Sequence, residues 1–349
     1  MRIRQEYAVL IKIGSGAIKP LGIFIGVEVS RNRSEKTITL TQTKYIEKLA
    51  KLFDGKFTPL DTPIRNATKF DKMESPKEGE DTVSQHDYLQ GCGSVLWPAN
   101  MTRPEAMYAA SNLCTFMGEG RAGPVQFAAV MDLVGYYVHT MHLGVSFGGK
   151  LKVPFGLKEY PPNFIESGGL CTYTDSSFGK AVKPYGGYCV MYCNGPVSYS
   201  ARISKIVPDA TSHAEMDAGS SGAKETVATR LVLEDVGRRV AGTTPIIIDS
   251  QAMRDIIVKP GATKKTRHYE KVTMIVKRLF ELLVVAPYLI STEFMVADLF
   301  TKAVGSATFY RLRAKLMNMP VVTARDESGQ IVTLYGKAAR WWNKLVNKA

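Results

Sequence analysis

Hydrophobic and polar positions along this chain change their spacing several times, and each change predicts an element. In "PLGIFIGVEVSRNRSEKTITLT", residues 20 to 41, Ile38 and Leu40 alternate with Thr39 and Thr41. That period of two predicts a pair of strands around a polar turn at Arg31 to Lys36. "TQTKYIEKLAKLF" follows, with Tyr45, Ile46, Leu49 and Phe53 near one face of a helix. Residues 54 to 87 are polar and rich in Pro, Asp and Lys, which predicts a linker or an extended excursion over the surface. Residues 88 to 148 read as helical. "YLQGCGSVLW" comes first, then "TRPEAMYAASNLCTFM" with Thr102 as its cap and Pro104 in its first turn, then "GPVQFAAVMDLVGYYVHTM". "PFGLKEYPPNFIESGG", residues 154 to 169, is a Pro/Gly-rich hinge and the best domain boundary.

After the hinge the rhythm changes. Three strands are predicted in close succession, at 170 to 178, 185 to 193 and 196 to 203. A helix from about 212 to 239 leads to the apolar strand "PIIID", which ends at Asp249. A long helix over about 264 to 285, a strand at "PYLIST" and a helix in "EFMVADLFTKAV" complete the series. Adjacent strands followed by alternating helix and strand predict an α/β fold with a mixed five-stranded sheet and helices on both faces.

Composition changes this picture little, and charge changes it more. With 349 residues, 45% of them apolar, the chain can bury a real core. No apolar run reaches the roughly 18 residues of a membrane helix, and the opening "MRIRQEYAVLIKIG" does not read as a signal peptide. Cys92, Cys114, Cys171, Cys189 and Cys193 are scattered, as expected of reduced thiols; Cys189 and Cys193 are expected on one strand face. His139 and His142, three apart, read as a satisfied pair rather than metal ligands. The net charge of +13 favours a polyanionic partner, nucleic acid before an anionic membrane. Part of that charge lies on the long helix. Lys264, Arg267, Lys271 and Arg278 form one stripe, separate from an apolar stripe of Val272, Ile275, Val276, Leu279, Phe280 and Leu283. The stripe is either a phosphate-tracking surface or a solvated face.

Four acids fall at or near element ends. Asp175 shares a strand face with Cys171, Tyr173 and Ser177. A carboxylate in line with buried positions needs a donor, a cation or a metal, unless it merely caps a turn or faces water. Glu215 lies in the first turns of the 212 helix, Asp249 ends "PIIID", and Asp298 follows the last strand. Strand ends of an open α/β sheet are where ligands bind. Carboxylates gathered there repel, and Mg²⁺, which takes oxygen ligands and keeps waters, relieves the repulsion. "AEMDAGSSGA", 214 to 223, would let its helix lie close to the sheet. The alternative is a loosely packed helix with ordinary surface acids.

"TDSSFG", "SHAEMDA", "IIIDSQAM" and "VADLFTKAV", in this order and spacing, resemble the ribonuclease H domain of copia-type retrotransposon Pol polyproteins. Upstream, "FIGVEVSRN…ITLTQTKYIEKL" resembles that family's passage from reverse transcriptase palm to thumb, and "PVSYSARISKIV" one of its nuclease strands. "YLQGCGSVLWPANMTRPEAMYAASNLCTFM" is similar to its helical connection. The resemblance runs from about residue 24 to 318. It implies a ribonuclease H-like fold, preceded by a largely helical thumb and connection remnant. It implies catalytic and metal-binding roles for Asp175, Glu215, Asp249 and Asp298, two Mg²⁺ or Mn²⁺ ions, and hydrolysis of the RNA strand of an RNA–DNA hybrid. The expected parts are a palm-end and thumb remnant (1–60), a linker and connection (61–153), the nuclease-like domain (154–305) and a basic tail (306–349). Expected partners are an RNA–DNA hybrid or other nucleic acid and a missing polymerase part or another Pol chain, with no membrane. The expected location is intracellular: cytoplasm, virus-like particle or nucleus.

Departures from the family pattern are specific. The polymerase motif Tyr-x-Asp-Asp occurs nowhere in the chain, so primer extension is not expected. "DSQAM" replaces the usual "DNQSA". His213 stands where the family often has an acid and reads as first-turn surface. Trp341 and Trp342, beside Arg340 and Lys344, either stack on bases or anchor a docking helix. The competing readings are a catalytically silent nucleic-acid-binding remnant and an integrase-like nuclease, the latter disfavoured by the thumb-like motifs.

Overall fold

A computed structural model describes residues 22–154, 156–178, 184–205, 207–208, 210–260, 270–319, 322–325 and 331–334. The first strands are β1 (Ile23–Phe24), β2 (Val27–Asn32) and β3 (Thr37–Thr41), with Asn32 opposite Thr37 across the polar turn. A fourth strand, β4 (Val145–Gly148), pairs antiparallel with β3. Residues 88 to 148 are therefore not helical throughout. Four residues are too few to show a period; Val145 is buried, and the Ser146 hydroxyl meets that of Thr39 at 2.7 Å.

Helix α1 (Thr43–Leu52) buries Ile46 and Leu49. The polar excursion that follows carries one short helix, α2 (Ala67–Asp71), started by an Asn66 side chain that accepts the Lys69 N–H. Next come α3 (Gln85–Met101), α4 (Met107–Cys114) and α5 (Pro124–His139). Thr102 is not the cap of α4. It ends α3, and its hydroxyl donates to Gln42 Oε1 at 2.8 Å, while Pro104 opens a separate 3-10 turn. His139 Nε2 lies 3.0 Å from Asp61 Oδ1.

The second sheet has the order β7-β6-β5-β8-β9. Strands β5 (Cys171–Ser177), β6 (Tyr185–Tyr192) and β7 (Gly195–Ile203) form an antiparallel meander. Strands β8 (Thr244–Ile248) and β9 (Val285–Leu289) add in parallel on the other side of β5. This is the expected mixed five-stranded sheet. Cys193 is not on a strand face with Cys189; it sits in the β6–β7 turn at a positive φ of 50°. All five cysteines are free.

One face of the sheet carries α6 (Thr211–Asp235), α7 (Gln251–Val258) and α8 (Glu270–Glu281). Ile246, Ile248, Met253 and Val276 pack together between them. Leu283, expected on the apolar stripe of α8, lies past the end of that helix at a positive φ of 53° and is exposed. The other face of the sheet meets the first half of the chain. Tyr199 on β7 bonds the Ala99 carbonyl at 3.0 Å, and Ser111 on α4 bonds the Ala201 carbonyl at 2.8 Å. The rings of Tyr108 and Tyr185 pack edge to face at 4.9 Å. A single core runs from Ile46 and Leu113 through Tyr137 to Cys171, Tyr173, Ile247 and Phe300. Helix α9 (Ser306–Leu316) adds Phe309 and Leu312 to it.

"EFMVADLFTKAV" does not form a helix of the expected kind. It makes two 3-10 turns, Thr292–Phe294 and Val296–Phe300, separated by Met295 with ψ near 100°. Met295, Val296, Ala297, Leu299 and Phe300 are all buried, which leaves no polar face for an amphipathic helix. The strands β10 (Val322–Arg325) and β11 (Ile331–Leu334) form a separate hairpin.

Strand β5 shows why the small residues of α6 matter. Thr172 and Thr174 point at α6, and a Cβ on Gly222 would lie 2.5 Å from Thr174 Cγ2. A Gly222→Val variant is expected to lose about 1–3 kcal/mol of stability through overpacking. A lowered urea midpoint at constant slope is the expected reading; an unchanged midpoint means that the helix–sheet distance is not set there.

Candidate metal centre

Asp175 projects from β5 on the face opposite Thr172 and Thr174. Its cross-strand neighbour on β6 is Gly187. Asp249 follows the last residue of β8, the parallel neighbour of β5. Glu215 comes from the first turns of α6 and is buried. Each of Asp175, Glu215 and Asp249 offers one oxygen within 4.8 Å of the others, and this is the sole such group among the described residues. The close packing of α6 on the sheet at Gly222, and against Met253 of α7 at Gly219, brings Glu215 to this depth.

Asp298 stands beside this triad, not within it. It lies buried in the Val296–Phe300 turn. Gly187 makes room for that turn: a Cβ there would sit 2.6 Å from Phe300 Cβ and 2.9 Å from Thr301 Cγ2. Thr301 donates its hydroxyl to Asp175 Oδ2 at 2.5 Å. Lys302 Nζ lies 2.7 Å from Asp298 Oδ1 and 3.5 Å from Asp175 Oδ2. On the other side, Thr292 donates its hydroxyl to Asp249 Oδ2 at 2.8 Å. The sequence reading passed over Thr292, Thr301, Lys302 and Gly187. One signal was present: Asp298 and Lys302 are four apart, a spacing that pairs side chains across one helical turn.

Burial and mutual repulsion dominate the electrostatics. Burial, then the charges of Asp175 and Asp249, push the Glu215 carboxyl up to about 9. Burial and Asp175 raise Asp249 as well. Burial and Asp175 push Asp298 up to about 7, against the opposing pull of Lys302. Glu215 Oε2 is buried with no hydrogen-bond partner. An orphaned carboxylate oxygen in an all-oxygen donor set fits a hard divalent cation such as Mg²⁺ or Mn²⁺.

The remaining candidates are placed less closely. Lys264 and Arg267 lie outside the described residues, as does the side chain of Lys271, whose backbone belongs to α8. Arg278 is exposed and pairs with Glu281 at 3.3 Å. Its neighbour Lys277 turns inward and donates to the Lys259 carbonyl at 2.7 Å. His213 is buried rather than on the surface, because the first turn of α6 is enclosed on more than the side that carries Glu215. Trp341 and Trp342 lie outside the described residues. No helix among the described residues is long and apolar enough to cross a membrane.

No protein-family model matches the chain. It is 23% identical over 296 residues to a "Retrovirus-related Pol polyprotein from transposon TNT 1-94" of Nicotiana tabacum, across 83% of this chain and 21% of that one. It is 28% identical over 222 residues to a transposon Ty5-1 protein of Saccharomyces cerevisiae, across 61% of this chain and 63% of that one. The chain thus spans about a fifth of the first relative and under two thirds of the second. Among solved structures, ribonuclease H1 of Halobacterium salinarum aligns with 38% of this chain and 93% of its own, at 15% identity and a TM-score of 0.30. The N-terminal ribonuclease H domain of rv2228c from Mycobacterium tuberculosis, solved as a fusion with maltose binding protein, gives the same score over 38% of this chain and 89% of its own. Along most of its length the chain is thus similar to retrotransposon Pol polyproteins, and its second half carries a five-stranded mixed sheet.

Proposed function

We propose that this chain is a divalent-metal-dependent ribonuclease that hydrolyses the RNA strand of an RNA–DNA hybrid. The observation that carries the reading is the triad of Asp175, Glu215 and the half-buried Asp249, in which one buried Glu215 oxygen has no hydrogen-bond partner. Mg²⁺ or Mn²⁺ held by these residues would supply Lewis-acid activation of a phosphodiester and of water. The side chains around them orient the ligands. Thr301 fixes one Asp175 oxygen, Thr292 fixes one Asp249 oxygen, and the Ser176 backbone hydrogen-bonds Glu215. Preset carboxylates need little rearrangement to take a cation. Lys264, Arg267, Lys271 and Arg278 are proposed to contact phosphates of the hybrid. Without a Tyr-x-Asp-Asp motif, primer extension is not proposed.

The direct test is incubation of the purified chain with labelled RNA–DNA hybrid and Mg²⁺ or Mn²⁺. Metal-dependent shortening of the RNA strand is expected. Binding without cleavage would instead assign a silent nucleic-acid-binding remnant.

Thermal stability gives an independent test. A carboxyl whose folded-state pKa is raised favours the folded state while protonated, and that advantage is lost as pH rises through the folded value. Glu215, raised to about 9 by burial and by its acidic neighbours, therefore weakens the metal-free fold between about pH 5 and pH 9. In a chelator, Tm should fall across that range. Mn²⁺ should restore it, most strongly at the alkaline end. A Tm unaffected by Mn²⁺ at pH 8 would remove the metal from the reading.

A further inference from the structure

The acidic cluster has two halves that meet at Asp175. One half is Asp175 with Glu215 and Asp249, whose oxygens lie within 4.8 Å of one another. The other is Asp175 with Asp298, and an ammonium group already stands in it. Lys302 Nζ is 2.7 Å from Asp298 Oδ1 and 3.5 Å from Asp175 Oδ2. The backbone holds it there: the Lys302 N–H donates to the Asp298 carbonyl at 3.2 Å, and the intervening Thr301 bonds Asp175 Oδ2. The Lys302 side chain keeps 27% of its surface, so its head can leave toward solvent.

A divalent ion of the Mg²⁺ class bonds oxygens at about 2.1 Å. It cannot share Asp298 Oδ1 and Asp175 Oδ2 with an ammonium that already lies 2.7 and 3.5 Å from them. Charge gives the same answer. Four carboxylates face one ammonium, so one divalent ion on the triad nearly balances the site. A second ion with Lys302 still in place would make it net positive. The first ion meets a smaller obstacle, because of the three triad acids only Asp175 is ion-paired with Lys302, and more loosely than Asp298 is.

We propose that Lys302 is a tethered counter-cation that fills the Asp298 half of the cluster, so that without substrate the chain takes one divalent ion, on Asp175, Glu215 and Asp249. A second ion enters that half by displacing Lys302. The proposal rests on the nuclease reading in one respect, that the triad is a metal site. Lys302 is in these terms a positioning residue: it sets how many ions bind, through its charge and place.

The test is to count Mn²⁺ bound to the full chain, by loss of the free-ion electron paramagnetic resonance signal, in wild type, Lys302→Met and Lys302→Arg. Wild type should bind one ion. Lys302→Met, which keeps the stem and drops the charge, should bind two, with the affinity of the second raised about tenfold or more, the scale of one removed neighbouring charge. Lys302→Arg should return to one. A merely structural lysine would lower Tm in both variants and leave the count unchanged. One ion of equal affinity in wild type and Lys302→Met, or two in both, overturns the proposal and leaves the nuclease reading intact. No bound Mn²⁺ in any of the three chains overturns both.

Discussion

Asp175→Asn is expected to bind an RNA–DNA hybrid as the wild-type chain does and to cleave it at least about a hundredfold more slowly. Asp175 is the one acid that belongs to both halves of the cluster. An amide keeps the shape of the carboxylate and can still accept the Thr301 hydroxyl through its carbonyl oxygen. It loses the charge that holds a divalent ion. It also removes a like charge that raises Glu215, Asp249 and Asp298, so the fold should not weaken. Cleavage at the wild-type rate would refute the role proposed for Asp175. Lost hybrid binding would show instead that this carboxylate shapes the nucleic-acid surface.

The second large effect lies far from the acids. Arg103→Met should cost about 3–5 kcal/mol, because it leaves a buried charge without its partner. Arg103 is fully buried and pairs with Glu105 at 2.7 Å. Its other nitrogens donate to the Thr140 hydroxyl at 2.6 Å and the Thr140 carbonyl at 3.2 Å. Its guanidinium stacks over Tyr136 and Tyr137 at 4.9 and 5.1 Å. Tyr136 in turn donates to Glu105 and accepts from Arg313 on α9. The network therefore ties the turn at Pro104 to α5 and α9. Urea unfolding of Arg103→Met, Glu105→Gln and the double variant measures it. The double variant should be less destabilised than the two single losses added together, since the orphaned charge is gone. A loss under about 1 kcal/mol in Arg103→Met would contradict the argument.

Much of the second sheet was legible because its strands are short, apolar and bounded by turn residues. "PIIID" and "YGGYCVMYC" could be little else. The acids were legible by position: three end up together because β5 and β8 are parallel neighbours and α6 lies close beneath them. What was not legible depends on packing between distant segments. β4 is four residues long and gains its partner from β3, more than a hundred residues earlier. The Val296–Phe300 turn carries the apolar content of a helix, yet it is shaped by burial on nearly every side. Lys302 acquires its place because Gly187, on another strand, lets that turn approach. No local pattern around residue 302 contains that fact.

The core shared by both halves has an evolutionary consequence. Cys171, Tyr173, Cys189, Met191 and Ala201 face the same buried cluster as Val95, Leu113 and Leu133. A chain reduced to its nuclease-like half would turn that face to water, an aggregation-prone surface. Helices α3, α4 and α5 are thus the second layer of the sheet, whatever else they contact. Selection on the sheet alone is enough to retain them. Mutations at Leu113 or Leu133 would be purged for the sake of a site built from residues 175 to 302, even if nothing were ever polymerised.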